Sequence, residues 1–267
     1  MIRYDVGSDR VARLTLDRPE TKNALTVAMR EDIVTRVREA RADPAVRAVL
    51  LTGSGDAFCA GMDLSASTLA DAGSADFETR RTAEALRVGV QSFIRELWEL
   101  DKPTVAAVNG PAVGPGAHLA LACDFVLVHD QTRFVWSFAR WSLVVDAGGA
   151  YLLPRLVGLP RAKGMVMLGD GARGPEAVEL GLAYRCVRPE ELLPAAEELA
   201  RRLAAGPTRA LGLSKRLLNT SFETTLDRSL ELEGAYQSLA ATSRDLVEGM
   251  AAFREKRLPS WAFFHLR

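Results

Sequence analysis

Two glycine-containing segments of the sequence stand where chemistry could be done by the backbone. They are LLTGSGDAFCAGMDL (50–64) and TVAAVNGPAVGPGAHLALACD (104–124). Each lies where an apolar, strand-like run ends and a helix should begin. Such junctions present backbone N–H groups with no intrahelical acceptor, which bind anions or stabilise a developing oxyanion. Two such turns facing each other would form a paired-donor hole, although either turn alone also reads as a plain tight turn. A dinucleotide fingerprint is not supported. It wants the glycines in an opening βαβ unit and an acidic residue about 20 positions later, whereas here they follow residue 100 and Asp124 comes too soon. The three cysteines, Cys59, Cys123 and Cys186, form no CxxC and have no nearby histidine pair. Neither a disulfide framework nor a metal site is expected from them.

The elements that must hold these turns follow from periodicity. Val11 to Leu16 alternates in period two and reads as a strand. Met29, Ile33, Val37 and Ala40 share one face of a helix that ends at Asp43-Pro44. A buried strand in AVRAVLLTG (45–53) comes next. Later a helix carrying Val90, Phe93, Ile94 and Leu97 precedes the strand Thr104 to Val108, and a short helix after the second glycine turn leads to the apolar run DFVLVHD (124–130). Strand, helix, strand, repeated, implies parallel pairing with right-handed crossovers, hence an α/β fold. Beyond Gly148 the pattern is helical almost throughout, with a break expected near Thr242-Ser243.

Composition limits the function classes. The 267 residues carry 34 basic and 34 acidic side chains and are 48% hydrophobic. This balance argues against a nucleic-acid partner, which would demand a basic stripe. No apolar run approaches the ~18 residues of a membrane span, and the N-terminus lacks the apolar region of a signal peptide. A cytoplasmic protein with no membrane partner is the expectation.

Five blocks now carry a resemblance: RPETKNAL (18–25), DAFCAGMDL (56–64), KPTVAAVNGPAVGPGAHLALACDF (102–125), DAGGAYLLPRLVG (146–158) and FREKR (253–257). In order and spacing the chain resembles the crotonase, or enoyl-CoA hydratase/isomerase, superfamily over nearly its whole length. The resemblance implies a spiral core of ββα units, taken as residues 1–200, and a helical C-terminal region, 201–267, that builds homotrimers or hexamers formed as dimers of trimers. It implies no permanently bound cofactor and no metal; coenzyme A enters as part of an acyl-CoA thioester substrate. The thioester oxygen would sit between two backbone N–H groups, the first from Met62. The second belongs to a glycine run that here reads Gly114-Pro115-Gly116. Proline has no N–H to give, so Gly116 is taken as the donor. Lys22, Ala24, Ala60, Asp63, Leu64, Phe253 and Lys256 fall at coenzyme A-contacting positions. The variable acyl-pocket loop would span Ala66 to Ala75, Phe77, Leu86 and Val90.

The acid/base positions separate reactions within that family. Typical hydratases carry two glutamates, and the matching positions here hold His118 and Phe138. Asp146, in VVDAGG, stands where members with a single catalytic aspartate carry it, such as enoyl-CoA isomerases and ring-1,2-epoxyphenylacetyl-CoA isomerases. An aspartate before a glycine-led helix also reads as an N-cap. Phe138, Trp136 and Trp141, taken as the acyl pocket, would together with Val144 and Val145 wall Asp146 and raise its pKa. His118, near a helix N-terminus, would stay neutral and either orient Asp146 or serve as a second base. His129 and His265 have no motif around them and read as surface residues. The leading expectation is an isomerase that shifts a C=C bond through Asp146. The alternatives are a hydratase with atypical acid/base residues and a non-catalytic acyl-CoA binding protein.

Overall fold

The computed structural model describes residues 1–63 and 86–261. Among the described residues, nine strands form two sheets. β1 (Ile2–Val6), β2 (Val11–Leu16), β3 (Ala48–Gly53), β4 (Thr104–Val108), β6 (Phe125–His129) and β9 (Arg185–Val187) make a six-stranded sheet in the order β1-β2-β3-β4-β6-β9. β1 pairs antiparallel to β2, and every later pairing within this sheet is parallel. β5 (Pro111–Val113), β7 (Arg133–Val135) and β8 (Ala172–Arg173) form a smaller sheet. The chain runs from β4 to β5 and then into a helix, and from β6 to β7, alternating between the sheets as the expected ββα units do.

Parallel strands covered on both faces must be apolar throughout, and β4 is buried at every position. Ala106 and Val108 face a large core that includes helix α1 (Val27–Ala42), while Val105 and Ala107 face a second cluster under the helix Leu192–Ala204. Helix α1 buries Met29, Ile33, Val37 and Ala40, as read from the sequence, and starts where the Thr26 side chain accepts a hydrogen bond from Met29 N–H. Residue 200, the expected core boundary, falls inside Leu192–Ala204, and Ala200 and Ala204 are both packed on the sheet.

The C-terminal helices are Thr208–Thr220, Leu226–Ala241 and Arg244–Glu255. The last two are separated at Thr242-Ser243, where Ser243 caps the final helix by accepting from Leu246 N–H. The buried Arg47 ties this region to the sheet: its guanidinium donates to Thr208 Oγ1 at 2.8 Å, to the Trp261 carbonyl at 3.0 Å and to the Gly206 carbonyl.

Two sequence expectations are corrected here. His129 is buried, not superficial, because it ends a central strand and its Nδ1 accepts the Gln131 N–H. Val90, expected in an acyl-pocket loop, is packed in the main core. Phe77, His265 and residues 66–75 lie outside the described residues. Among the described residues no helix is long and apolar enough to cross a membrane, and no cluster of His, Cys, Asp and Glu is arranged to hold a metal.

Candidate active site

The two glycine turns are sewn together. Cys59 bridges Ala112, with Val113 N–H donating to the Cys59 carbonyl at 2.9 Å. Gly61 takes φ +91°, and a Cβ there would lie 2.9 Å from the Val113 carbonyl oxygen and 3.7 Å from Pro115 Cδ. Only glycine permits that backbone-on-backbone approach. A third segment joins the pair: Leu25 N–H donates to the Gly61 carbonyl, Asp63 N–H to the Leu25 carbonyl, and Ala60 N–H to the Lys22 carbonyl. Lys22 and Asn23 are both left-handed, at φ 51° and 57°. Asn23 supports this conformation from full burial: its Nδ2 donates to the carbonyls of Ser54 and Ala57, and its Oδ1 accepts from Arg18 N–H. Arg18 then clamps the turn from outside, donating to the Ala24 carbonyl at 2.9 Å and pairing with Asp63 at 2.8 Å.

The second turn explains its proline. Helix Pro115–Leu121 begins with Pro115 in its first turn, preceded by Gly114 at φ 48°. At the first helical position an N–H would have no intrahelical acceptor, so proline costs the helix nothing there. The first intrahelical donor is His118 N–H, to the Gly114 carbonyl at 3.0 Å. Gly116 N–H is thus left unused by the helix, and Met62 N–H donates to no acceptor among the described residues. Gly116 is pressed against the first turn, where a Cβ would stand 2.5 Å from the Cys59 carbonyl oxygen and 2.7 Å from its Sγ. Burial pushes the Cys59 thiol up to about 12.

Asp146 is half-buried, and its Oδ1 is enclosed with no hydrogen-bond partner. Desolvation raises its pKa from 3.8 to about 6, against a smaller lowering by its own main-chain N–H. It is not an N-cap. Helix Gly149–Val157 is preceded by Gly148 and has no side-chain cap, while the Asp146 carbonyl accepts from Gly149 N–H at 2.8 Å. Ala147 and Gly148 follow in left-handed conformations, φ 46° and 76°. Ala147 is fully buried, so surrounding packing holds a backbone that alanine alone disfavours by about 1–2 kcal/mol.

His118 and Phe138 stack at 5.8 Å with planes 7° apart, so the two positions matched to hydratase glutamates are neighbours in space. His118 Nε2 accepts the Trp136 indole N–H at 3.0 Å. Burial lowers the His118 pKa to about 4, partly offset by the Asp146 main chain. Desolvation is thus the main cause of its neutrality. A neutral ring whose Nε2 lone pair is engaged has no vacant nitrogen for a second base. Trp141 and Val144 are 62% and 82% exposed, so within one chain they do not wall Asp146. They sit on a turn outside the sheets, where apolarity does not ensure burial.

The expected coenzyme A positions are not all gathered. Lys22 is exposed, Ala24 and Ala60 are half-buried beside it in sequence and hydrogen bonding, and the Asp63 carboxylate is engaged by Arg18. Leu64 lies outside the described residues. Phe253 is 85% exposed, and Lys256 is an exposed left-handed C-cap. Sequence reasoning missed Arg18, Asn23 and Ala147. Arg18 and Asn23 stood inside RPETKNAL, where an arginine before proline and an asparagine, a residue that tolerates a left-handed turn, were the available signal; Ala147 had none.

The family model described as enoyl-CoA hydratase/isomerase matches residues 7–263. The chain belongs to the enoyl-CoA hydratase/isomerase family. It is an acyl-CoA enzyme of that family, with the crotonase fold. A 1,2-epoxyphenylacetyl-CoA isomerase of Escherichia coli is 39% identical over 94% of both chains. A crotonyl-CoA hydratase of Syntrophomonas wolfei is 35% identical over 93% of both. The crystal structure of an enoyl-CoA hydratase from Polaromonas superposes with a TM-score of 0.89 at 31% identity, covering 97% of this chain and 98% of that one. The family's relatives thus include both isomerases and hydratases.

Proposed function

We propose that the protein shifts a C=C double bond in an acyl-CoA thioester, with Asp146 as the proton shuttle. One observation carries the reading: among the residues matched to acid/base positions, only Asp146 is a carboxylate, and it is a half-buried one whose pKa lies near 6 with an unpartnered oxygen. The Asp146 carboxylate removes the proton from the carbon next to the thioester carbonyl of a 3-enoyl substrate. The C–H electron pair moves into the carbonyl, giving a dienolate whose oxygen is held by Met62 and Gly116 N–H. Asp146 returns the proton to C4, and the double bond comes to rest at C2–C3. No water is consumed and a single carboxylate serves both carbons.

Water addition needs a group for the water and a group for the α-proton. His118 and Phe138 supply neither, which is why the hydratase reading ranks second despite the hydratases among the relatives. The test offers 3-enoyl-CoA and 2-enoyl-CoA thioesters to the wild type and to Asp146→Asn. Isomerisation of the 3-enoyl thioester that is lost in the variant is expected. Water addition that survives the substitution would overturn the reading, and binding without turnover would point to a carrier.

The C-terminal region supports assembly. Leu226–Ala241 buries none of its residues, and Leu226, Leu230 and Leu239 stand exposed. We read this apolar surface as covered by further copies in a trimer or hexamer, which light scattering of the purified protein decides.

A further inference from the structure

Met62 owes its free N–H to the way its neighbours are bonded. Leu25 and Met62 pair as one isolated parallel step, in which Leu25 N–H donates to the Gly61 carbonyl at 2.7 Å and Asp63 N–H donates to the Leu25 carbonyl at 3.1 Å. Leu25 thus takes both bonds of the step, from the residues on either side of Met62. In such a pair the residue opposite directs its own N–H away from the partner segment. The step is slender. It is a single bridge and not a ladder, supported by one further bond from Ala60 N–H to the Lys22 carbonyl, and it follows two successive left-handed residues, Lys22 and Asn23.

Arg18 closes the step from its side chain. Its Nη1 donates to the Ala24 carbonyl at 2.9 Å on one segment and to Asp63 Oδ2 at 2.8 Å on the other. Ala24 precedes Leu25 and Asp63 follows Met62, so one nitrogen of a planar guanidinium spans the two segments at the bridge. Arg18 is itself held. Its main-chain N–H donates to Asn23 Oδ1 at 2.8 Å, and its carbonyl accepts Asn23 N–H at 2.9 Å. The Asp63 side chain is only 8% exposed, so this is a charge-assisted contact that fixes geometry, unlike a solvated surface ion pair.

We propose that Arg18 is a positioning residue for the Met62 donor: its Nη1, shared between the Ala24 carbonyl and the Asp63 carboxylate, holds the Leu25–Met62 step closed and so fixes where the Met62 N–H points. Arg18 acts through Ala24 and Asp63, not on the reacting atoms. The catalytic part of this role rests on the reading of Met62 as an oxyanion donor, whereas closure of the step is measurable without any substrate.

The experiment compares the wild type with Arg18→Gln and Arg18→Lys by three readings. Amide hydrogen exchange of Leu25 and Asp63 in the folded protein reads the step, and should quicken about tenfold in Arg18→Gln as the local opening becomes easier. The infrared carbonyl band of bound butanoyl-CoA, labelled with carbon-13 at the thioester carbon, reads the donors. It should lie below the band of the free thioester in the wild type, with that displacement at least halved in Arg18→Gln. Turnover of a 3-enoyl-CoA thioester should lose about tenfold in kcat with a smaller change in KM, a milder loss than the 10²–10³ of deleting a donor outright. Arg18→Lys, which keeps the charge but not the planar fork, should fall between the two. Unchanged exchange at Leu25 and Asp63, or an unchanged carbonyl band, in Arg18→Gln would overturn the role. If that variant does not fold, Asp63→Asn keeps an oxygen for Nη1 and removes the charge; the same shifts, smaller, are expected, and their absence is equally fatal. A wild-type carbonyl band that is not displaced at all would remove the oxyanion reading by itself, and the clamp would still be decided by exchange.

Discussion

Around Gly61 and Gly116 the chain is packed backbone on backbone, with no space for even a methyl group and no titratable side chain among the proposed donors. Around Asp146 it is half open, and the proposed proton shuttle is a single carboxylate whose proton affinity is raised by burial. The first half of the site is intolerant of volume and indifferent to pH. The second is sensitive to one functional group and to proton concentration. Holding an oxygen needs fixed dipoles, which the main chain supplies, whereas moving a proton needs a group that can change charge.

The strongest way to break the comparison is Asp146→Asn, which keeps the volume and removes the base. Steady-state isomerisation should fall by about 10²–10⁴, the usual worth of a positioned acid/base group. Gly116→Ala attacks the other half. Its Cβ cannot fit against Cys59, so the turn must open, with a loss of about 10²–10³ in kcat and about 1–3 kcal/mol of stability in urea unfolding.

Proton concentration separates the halves next. If Asp146 must be ionised to accept a proton, kcat/KM of the wild type should climb through a pH of about 6 and then level off. The sign for stability is opposite. A carboxyl raised from 3.8 to about 6 by folding binds its proton more tightly in the native state, so its contribution to stability declines as pH rises across that window. Asp146→Asn should therefore raise stability at pH 7 by about 1–2 kcal/mol, discounted for the solvent that reaches the group, and leave it nearly unchanged near pH 4. A thermal melt at both pH values reads the difference. The smallest effect is expected of Pro115→Gly. With Pro115 in the first turn, where no N–H is needed, turnover should hold and stability should drop by about 0.4–1 kcal/mol through the unfolded chain. A marked rise in turnover would instead mean that the proline withholds a donor.

Much of the fold was legible. Thr104–Val108 emerged as read because an apolar run bounded by proline and glycine has few alternatives, and the break before Ser243 followed from a residue able to cap. β9, Arg185–Val187, was not legible, since three residues on a sheet edge show no period. The glycine turns were legible as places for free N–H groups, but their mutual packing was not, because it depends on a contact between residues 59 and 116. Trp136 and Trp141 mark the limit: both read as apolar wall, yet one is buried with its N–H on a histidine and the other is exposed. Hydrophobicity records the wish to be covered, not the surface that does the covering.

The seat of Gly116 on Cys59 has a consequence for redox chemistry. With its pKa pushed up to about 12 by complete enclosure, the Cys59 thiol is ionised in only about one molecule in ten thousand at pH 8. Alkylating reagents and mild oxidants attack the thiolate, so this sulfur, packed against Gly116, is inert to them while the fold is intact. Its reaction with a thiol probe would report the opening of that half of the site, as a clock started by unfolding.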